Sequence, residues 1–530
     1  MGSASMTTTP PSEVDYADVQ GLVRFGYKRM AGRYELLRVE NAAAARSWLS
    51  SAKVNNAEFR DRDATDTKDA PPTTALHIAF TAGGLEAIGV SKSVIAAFSH
   101  EFRTGMATDY RARQLGDVGA NAHGNWDWGA PRSESEVPDG KPAPPCGEPD
   151  LLVMFCAELK ELDSHLRSAT GDLWDEAFDV LRSFPADLDE VEHFGFADGL
   201  SQPAIDWKQQ REPPTTQLDY TNFGALGEFL LGYRNEYGKF TDRPLLEPDD
   251  SNAELLPAQD APEKKDLGRN GTYLVLRQLQ QDVRKFWRFT NQQAGGDFSK
   301  AEELAAVMVG RKRDGEPLAR IRDEAIPGVG TKPEQVQENQ FTFDSDPSGA
   351  RCPFGSHVRR ANPRNTDFPG RPANWLKKLI IVLGFGSKQF RYDLMSSVRF
   401  HRVLRRGRKY GPTLKPEDAL APTPAGEPEP KRGLHLICLN ANISRQFEFV
   451  QNAWIANTKF TGMTGESDPL LGNREPIPGC PVTSDFNMPQ QSGLRQRVSG
   501  LPQFIKVVGG GYFFLPSLRA LRYFACDKTA

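Results

Sequence analysis

Eight histidines occur in 530 residues, His77, His100, His123, His165, His193, His357, His401 and His435, few enough for each to be weighed singly. No two share HExxH or HxH spacing. The six cysteines, Cys146, Cys156, Cys352, Cys438, Cys480 and Cys526, form no CxxC pair. Neither a multi-ligand metal centre nor a disulfide framework therefore has local support. His77 falls in an alternating apolar strand and His165 on a helix face, which are structural positions. His357 has different surroundings, RCPFGSHVRRANPR over residues 351–364. Pro353 and Gly355 give the chain an irregular entry, while Arg359, Arg360 and Arg364 offer cations to anionic groups. Two readings stand: a capped surface turn with a solvated basic run, or an axial ligand to a haem iron, which needs one strong protein ligand on its proximal side.

Two further segments carry chemistry. In GFADG (195–199) glycines flank Asp198, which permits tight turns and close approach of a flat group to the backbone. An Asx turn is the plainer reading of such a motif. In HRVLRRG (401–407) a strand would turn Arg402 and Leu404 to one face and Val403 and Arg405 to the other. Arg405 would then point inward beside apolar neighbours, and a buried guanidinium needs a partner or a ligand. The alternative is a basic edge strand.

These residues need elements to hold them. Tyr34–Val39 and Thr74–Phe80 read as strands, Ala42–Ser51 as an alanine-rich helix, and Ser91 as the cap of a helix carrying Ile95, Phe98 and Phe102. Asp150–Cys156 reads as an apolar strand, and residues 159–184 as helical through Leu162, Leu166, Leu173, Phe178 and Leu181. The same grammar returns later. Residues 272–279 alternate as a strand, 280–290 follow as a helix, 434–439 form a buried strand, and Ser444 opens a helix with Phe447, Val450 and Trp454 on its apolar side. Residues 130–149, 208–219, 242–265 and 412–431 lack periodicity and read as loops.

A chain of 530 residues exceeds a single core, since cores stop growing near ~250–300 residues. With 65 Lys+Arg against 69 Asp+Glu the formal charge is −4, so no global field draws nucleic acid or an anionic membrane. The opening MGSASMTTTPPSEVDYAD shows no basic region followed by an apolar run, and no later stretch approaches ~18 consecutive apolar residues. The expectations are a cytoplasmic protein with no membrane span, and a disordered start over 1–13 in which Gly2–Ser5 look like a cloning remnant.

GFADG, CPFGSHVRRANPR and HRVLRRG, in that order, resemble the dye-decolourising peroxidase family. So do VQGLVRFGY (19–27), NGTYLVLRQLQQDV (270–283), MVGR (308–311), GLHLICLNANISRQFEFVQNAW (433–454) and GGGYFFLPS (509–517), and the likeness spans nearly the whole chain. Length and the RRG form match the larger, elaborated members, and Gly407 stands where compact members often carry asparagine. The resemblance implies an α+β fold of two ferredoxin-like domains, here 14–220 and 221–530, with haem b held mainly by the second. It implies His357 as the proximal ligand and Asp198 and Arg405 as the distal pair. Arg359, Asn362 and Arg364 are implied as cofactor contacts, and Leu434 and Leu436 as cover over the distal haem face. The implied partners are hydrogen peroxide and organic electron donors such as dyes and phenols, oxidised through a ferryl intermediate by a monomer or homo-oligomer. A haem carrier or deferrochelatase of related fold is the alternative.

The residue types suit that chemistry. Peroxide on ferric iron must move a proton from its inner to its outer oxygen before the O–O bond breaks heterolytically. A carboxylate such as Asp198 can take and return that proton. A fixed guanidinium such as Arg405 would stabilise charge on the departing oxygen. A carboxylate behind His357 would strengthen its donation to iron, although the spacing does not name one. Bulky reductants would not fit a pocket sized for peroxide. Among 8 Trp and 12 Tyr, Trp375 is a candidate surface relay.

Overall fold

The computed structural model describes residues 13–27, 30–58, 72–130, 147–187, 191–210, 222–319, 339–364, 398–423, 428–476 and 480–526. Among them nine strands form one sheet: β1 (Ala31–Val39), β2 (Thr74–Phe80), β3 (Leu151–Ala157), β4 (Phe178–Ala186), β5 (Thr272–Gln281), β6 (Leu404–Arg405), β7 (Arg408–Tyr410), β8 (Gly433–Asn440) and β9 (Ile505–Leu515). The spatial order is β6-β8-β5-β9-β2-β3-β1-β4, with β7 also on β8, and every pairing within it is antiparallel.

Each half of the sheet repeats one topology. Within β1–β4 the first strand lies between the third and the fourth, and the second pairs with the third. Taking the interrupted β6/β7 as one strand, β5–β9 obey the same rule. This is the ferredoxin-like order expected from the sequence, but the halves share one sheet, joined where Phe514 of β9 pairs with Phe80 of β2. Both faces of that sheet are covered. Leu151, Val153 and Phe155 of β3 enter one core, Leu152, Met154 and Cys156 the other. A strand buried on both faces reads as an apolar run rather than an alternation.

Several elements lie where the sequence puts them, including helix α1 (Ala42–Ser51), whose Asn41 side chain accepts from the amides of Ala43 and Ala44. Others differ. The helical reading of 159–184 holds through α2 (Leu162–Thr170) and the short turn Trp174–Ala177, then fails: Phe178–Ala186 is an edge strand paired with β1. Ser91 does cap a helix, Lys92–Ala96, but Ser99 caps a second one, His100–Thr104, so Ile95 and Phe102 lie on different elements. The strand at 272 runs two residues further, because Gln280 and Gln281 still pair with Lys506 and Ile505. Helix α3 (Val283–Gln293) then starts after the Asp282 cap.

Helices α4 (Phe298–Val309) and α5 (His357–Ala361), with a π-type helix over Ser444–Glu448 and Val450–Ala456, surround the site. In that last helix Glu448 N donates to Ile443 O at 3.0 Å, a wider turn than an α-helix makes. Of the expected loops, 242–265 holds the short ladder Leu245–Leu246 with Lys265–Asp266, pinned by Arg243 against Asp266 and Asp260 at 2.7 and 2.5 Å. Most of 130–149 and 208–219 lies outside the described residues, as does Trp375. Described cysteines 156, 352, 438, 480 and 526 are free thiols, and no described helix is long and apolar enough to cross a membrane.

Candidate functional site

A cavity of about 330 Å³ has His357, Asp198 and Arg405 in its lining, together with Leu434 and Leu436. His357 is the first residue of α5. The helix is seated through Ser356, whose hydroxyl donates to Val307 O of α4 at 2.6 Å. Close packing there requires Gly310, which ends α4 at φ +96° with Ser356, Cys352 and Val358 all about 3.3 Å from where a Cβ would stand. That contact explains why MVGR and the His357 segment belong together.

The His357 imidazole keeps 22% of its side-chain surface, open to the cavity, and directs Nδ1 to Asp468 Oδ2 at 2.9 Å. Asp468 is fully buried, and its other oxygen accepts from the amides of Leu470 and Leu471 at 2.9 and 2.8 Å. Burial alone would favour a neutral imidazole, but the Asp468 carboxylate outweighs it and raises the His357 pKa. Burial likewise pushes the Asp468 carboxyl up, while His357, the Leu471 amide and Arg360 more than reverse this, leaving it below the usual range. With Nδ1–H given to a carboxylate, Nε2 is the lone pair that faces the cavity.

Asp198 and Arg405 reach the same cavity from distant parts of the chain. Gly195 and Gly199 adopt φ +92° and +74°, so the GFADG turn needs its glycines, and Asp198 Oδ1 accepts from the Gly199 amide at 2.6 Å. Arg405 ends β6 beside Cys438, its amide donating to Gln202 Oε1 and its guanidinium to Ser201 O, each at 3.0 Å. The charges of Arg405 and Asp198 both reach His357 across the cavity, the first lowering and the second raising its pKa. The structure thus brings the three sequence candidates together. It adds Asp468, 111 residues from His357, and Glu192, which lines the same cavity. Glu192 is pushed up to about 7, by burial first, against hydrogen bonds from Phe194, Gln281 and Phe196.

The remaining candidates divide. Arg364 is fully buried at φ +53°, lies 3.7 Å from the Phe341 ring centroid and reaches the cavity with Asn362. Its guanidinium donates to Asn222 Oδ1, Asn339 O and Oδ1, Phe341 O and Ser201 Oγ, all neutral oxygens. Burial, then the neighbouring cations Arg311 and Arg402, hold its pKa well below normal. Arg359 does not line the cavity. It lies between the rings of Phe343 and Phe354 at 4.3 Å each and pairs with Asp346 at 3.2 Å, so the basic run's first cation is tied to its own loop. Arg360 likewise ends on the carbonyls of Gly355, Trp454, Asn457 and Glu466.

These features fit a haem. His357 lines the cavity with apolar Leu434, Leu436, Phe447 and Leu470, and the buried Arg364 guanidinium, bonded to neutral oxygens, is a donor group suited to a propionate.

No family model matches the chain. It is 26% identical to a dye-decolourising peroxidase of Mycetinis scorodonius, covering 96% of this chain and 87% of that one. It is 25% identical to a dye-decolourising peroxidase of Auricularia auricula-judae, covering 95% and 86%. A crystal structure of a fungal peroxidase of this type from Auricularia auricula-judae superposes with a TM-score of 0.67 at 21% identity, over 97% of this chain and 100% of that one. The fold is that of the solved dye-decolourising peroxidases. Over nearly its whole length the chain is similar to dye-decolourising peroxidases.

Proposed function

We propose that the chain binds haem b through His357 and uses hydrogen peroxide to oxidise organic reductants such as dyes and phenolic compounds, with Asp198 and Arg405 as the peroxide-handling pair. The observation that carries this is that one cavity is lined by a carboxylate-backed imidazole, His357, and by an acid and a guanidinium, Asp198 and Arg405, whose charges reach that imidazole. A solved relative in complex with 2,6-dimethoxyphenol supports the reductant class. In this reading 221–530 supplies the haem-holding groups His357, Asn362, Arg364, Leu434 and Leu436, while 14–220 supplies Asp198.

Bound haem supplies the redox-active iron at which peroxide is reduced to water. The chain's own groups do the rest. Asp468 holds the Nδ1 proton of His357, which would leave Nε2 as the nitrogen to hold the iron and strengthen its donation. Asp198 takes the proton from the inner peroxide oxygen at its free carboxylate oxygen and returns it to the outer one. Arg405, held by Ser201 O, places positive charge where the departing oxygen becomes negative. Leu434 and Leu436 keep bulk water from the pair.

Mixing the haem-loaded protein with one equivalent of hydrogen peroxide tests the proposal. A peroxidase shows a rapid change of the Soret band that a phenolic reductant or dye reverses, with the dye consumed in proportion. A haem carrier shows slow bleaching that no reductant prevents, and that result would falsify the proposal.

A further inference from the structure

The turn that delivers Asp198 is closed on a carboxylate outside the GFADG motif. Glu192 Oε2 accepts from the Phe194 amide at 2.8 Å and from Gln281 Nε2 at 2.7 Å, and Oε1 accepts from the Phe196 amide at 3.0 Å. Its backbone closes the same loop: Glu192 N donates to Phe196 O at 3.0 Å, and Gly195 N to Glu192 O at 2.8 Å. Gln281 belongs to β5, so the carboxylate ties the turn to the central sheet of the other half. On the loop's outer side, Trp287 Nε1 donates to Phe194 O at 3.2 Å, Arg313 Nε to Gly195 O at 3.4 Å, and Ala197 N to Arg313 O at 2.9 Å. The chain is thereby held up to the residue before Asp198.

A carboxylate suits this place because three donors converge on it and it offers acceptors only. A glutamine would have to turn its amide N–H₂ towards one of the three donors, leaving that donor unsatisfied.

We propose that Glu192 is the positioning residue for Asp198, holding the 192–196 turn so that the acid stands at the cavity in one orientation. The inference rests on the reading of Asp198 as the group that moves the peroxide proton. Glu192 touches neither peroxide nor haem in this account; it acts through the loop.

The test uses the haem-loaded full chain as wild type, Glu192→Gln, Asp198→Asn and the double variant, with the peroxide step and the reductant step timed separately. Amide exchange is followed at Phe194 and Phe196. Glu192→Gln is expected to slow the peroxide step about fivefold. The two amides should lose protection, while haem content and the reductant step stay at wild-type values. Beside Asp198→Asn the same substitution should change the rate less than about twofold, since its route is already cut. An equal fold-change in both backgrounds, or unaltered exchange at the two amides, overturns the positioning role. If Asp198→Asn alone runs at the wild-type rate, it is the reading of Asp198 that fails, and the inference falls with it. Should Glu192→Gln not load haem, Gln281→Leu replaces it, removing one of the three donors. A slowing of about twofold that vanishes beside Asp198→Asn supports the role, and none overturns it.

Discussion

On the wall that carries His357, charge meets charge inside the protein. The imidazole faces Asp468, the second oxygen of Asp468 takes two amides, and Arg360, itself bound to four carbonyls, adds a positive field behind them. On the wall that carries Asp198 and Arg405, the hydrogen bonds run only to backbone and amide oxygens or to the Gly199 N–H. The first group has its ionic partner inside the fold, whereas the second holds an acid and a guanidinium with no ionic partner among the described residues. A group that must hold a cofactor gains from being locked. A group that must meet charge as it develops gains from being held by neutral partners with its charge unpaired.

This contrast is open to breakage, and the severest blow falls on the closed wall. His357→Ala removes the only described imidazole that faces the cavity with a carboxylate behind it. Haem should fail to co-elute with the protein on gel filtration, with the Soret-to-280 nm ratio falling to the level of unbound protein. Retention of full haem with an unaltered spectrum would show that another group ligates it. Next in size is Arg405→Leu on the open wall. Loss of one preorganised donor at a developing anion typically costs ~10²–10³-fold, read as the rate constant of the Soret change on mixing with peroxide. Haem content should stay at the wild-type level, because the bonds of Arg405 to Gln202 and Ser201 hold the arginine rather than the cofactor.

Asp468→Asn sharpens the comparison from the other side. An asparagine oxygen can still take the Leu470 and Leu471 amides, but a neutral amide no longer compensates His357. Loss of such a partner behind a ligating histidine costs about 10–100-fold in affinity or activity. The expected signature is faster haem transfer to an apo-acceptor protein, with the fold intact by circular dichroism. Normal haem retention and a normal peroxide step would mean that the His357–Asp468 bond is structural only.

How much of this was legible beforehand depends on whether the deciding contact is local. Asp198, His357 and Arg405 lie in segments whose glycine, proline and arginine spacing is itself unusual, and the cavity brings all of them together. Asp468 carried no comparable mark. It sits in an ordinary SDPLLG turn, and its meaning arises from a contact 111 residues away. Arg359 shows the complementary limit, since a basic run does not disclose that its first member is enclosed by Phe343, Phe354 and Asp346. The strand Phe178–Ala186 shows the limit for elements: Phe178 and Leu181 fit a helical repeat, and pairing with β1, a tertiary fact, overrides it.

The smallest expected effect within the pair separates the two jobs on the open wall. Proton transfer between the two peroxide oxygens needs an acceptor near both, and when Asp198 becomes asparagine an ordered water can relay the proton at modest entropic cost, provided the cavity admits one. The cavity of about 330 Å³ has that room beside Ser201 and Gln202. No neutral group replaces a guanidinium opposite a forming anion in a site shielded by Leu434 and Leu436. Asp198→Asn should therefore slow the peroxide step about tenfold, well short of Arg405→Leu. Stopped-flow rates for both variants across the same pH series decide the order. If Asp198→Asn is the slower of the two, the acid is indispensable, no water relays the proton, and Arg405 serves mainly to brace the Ser201–Gln202 turn.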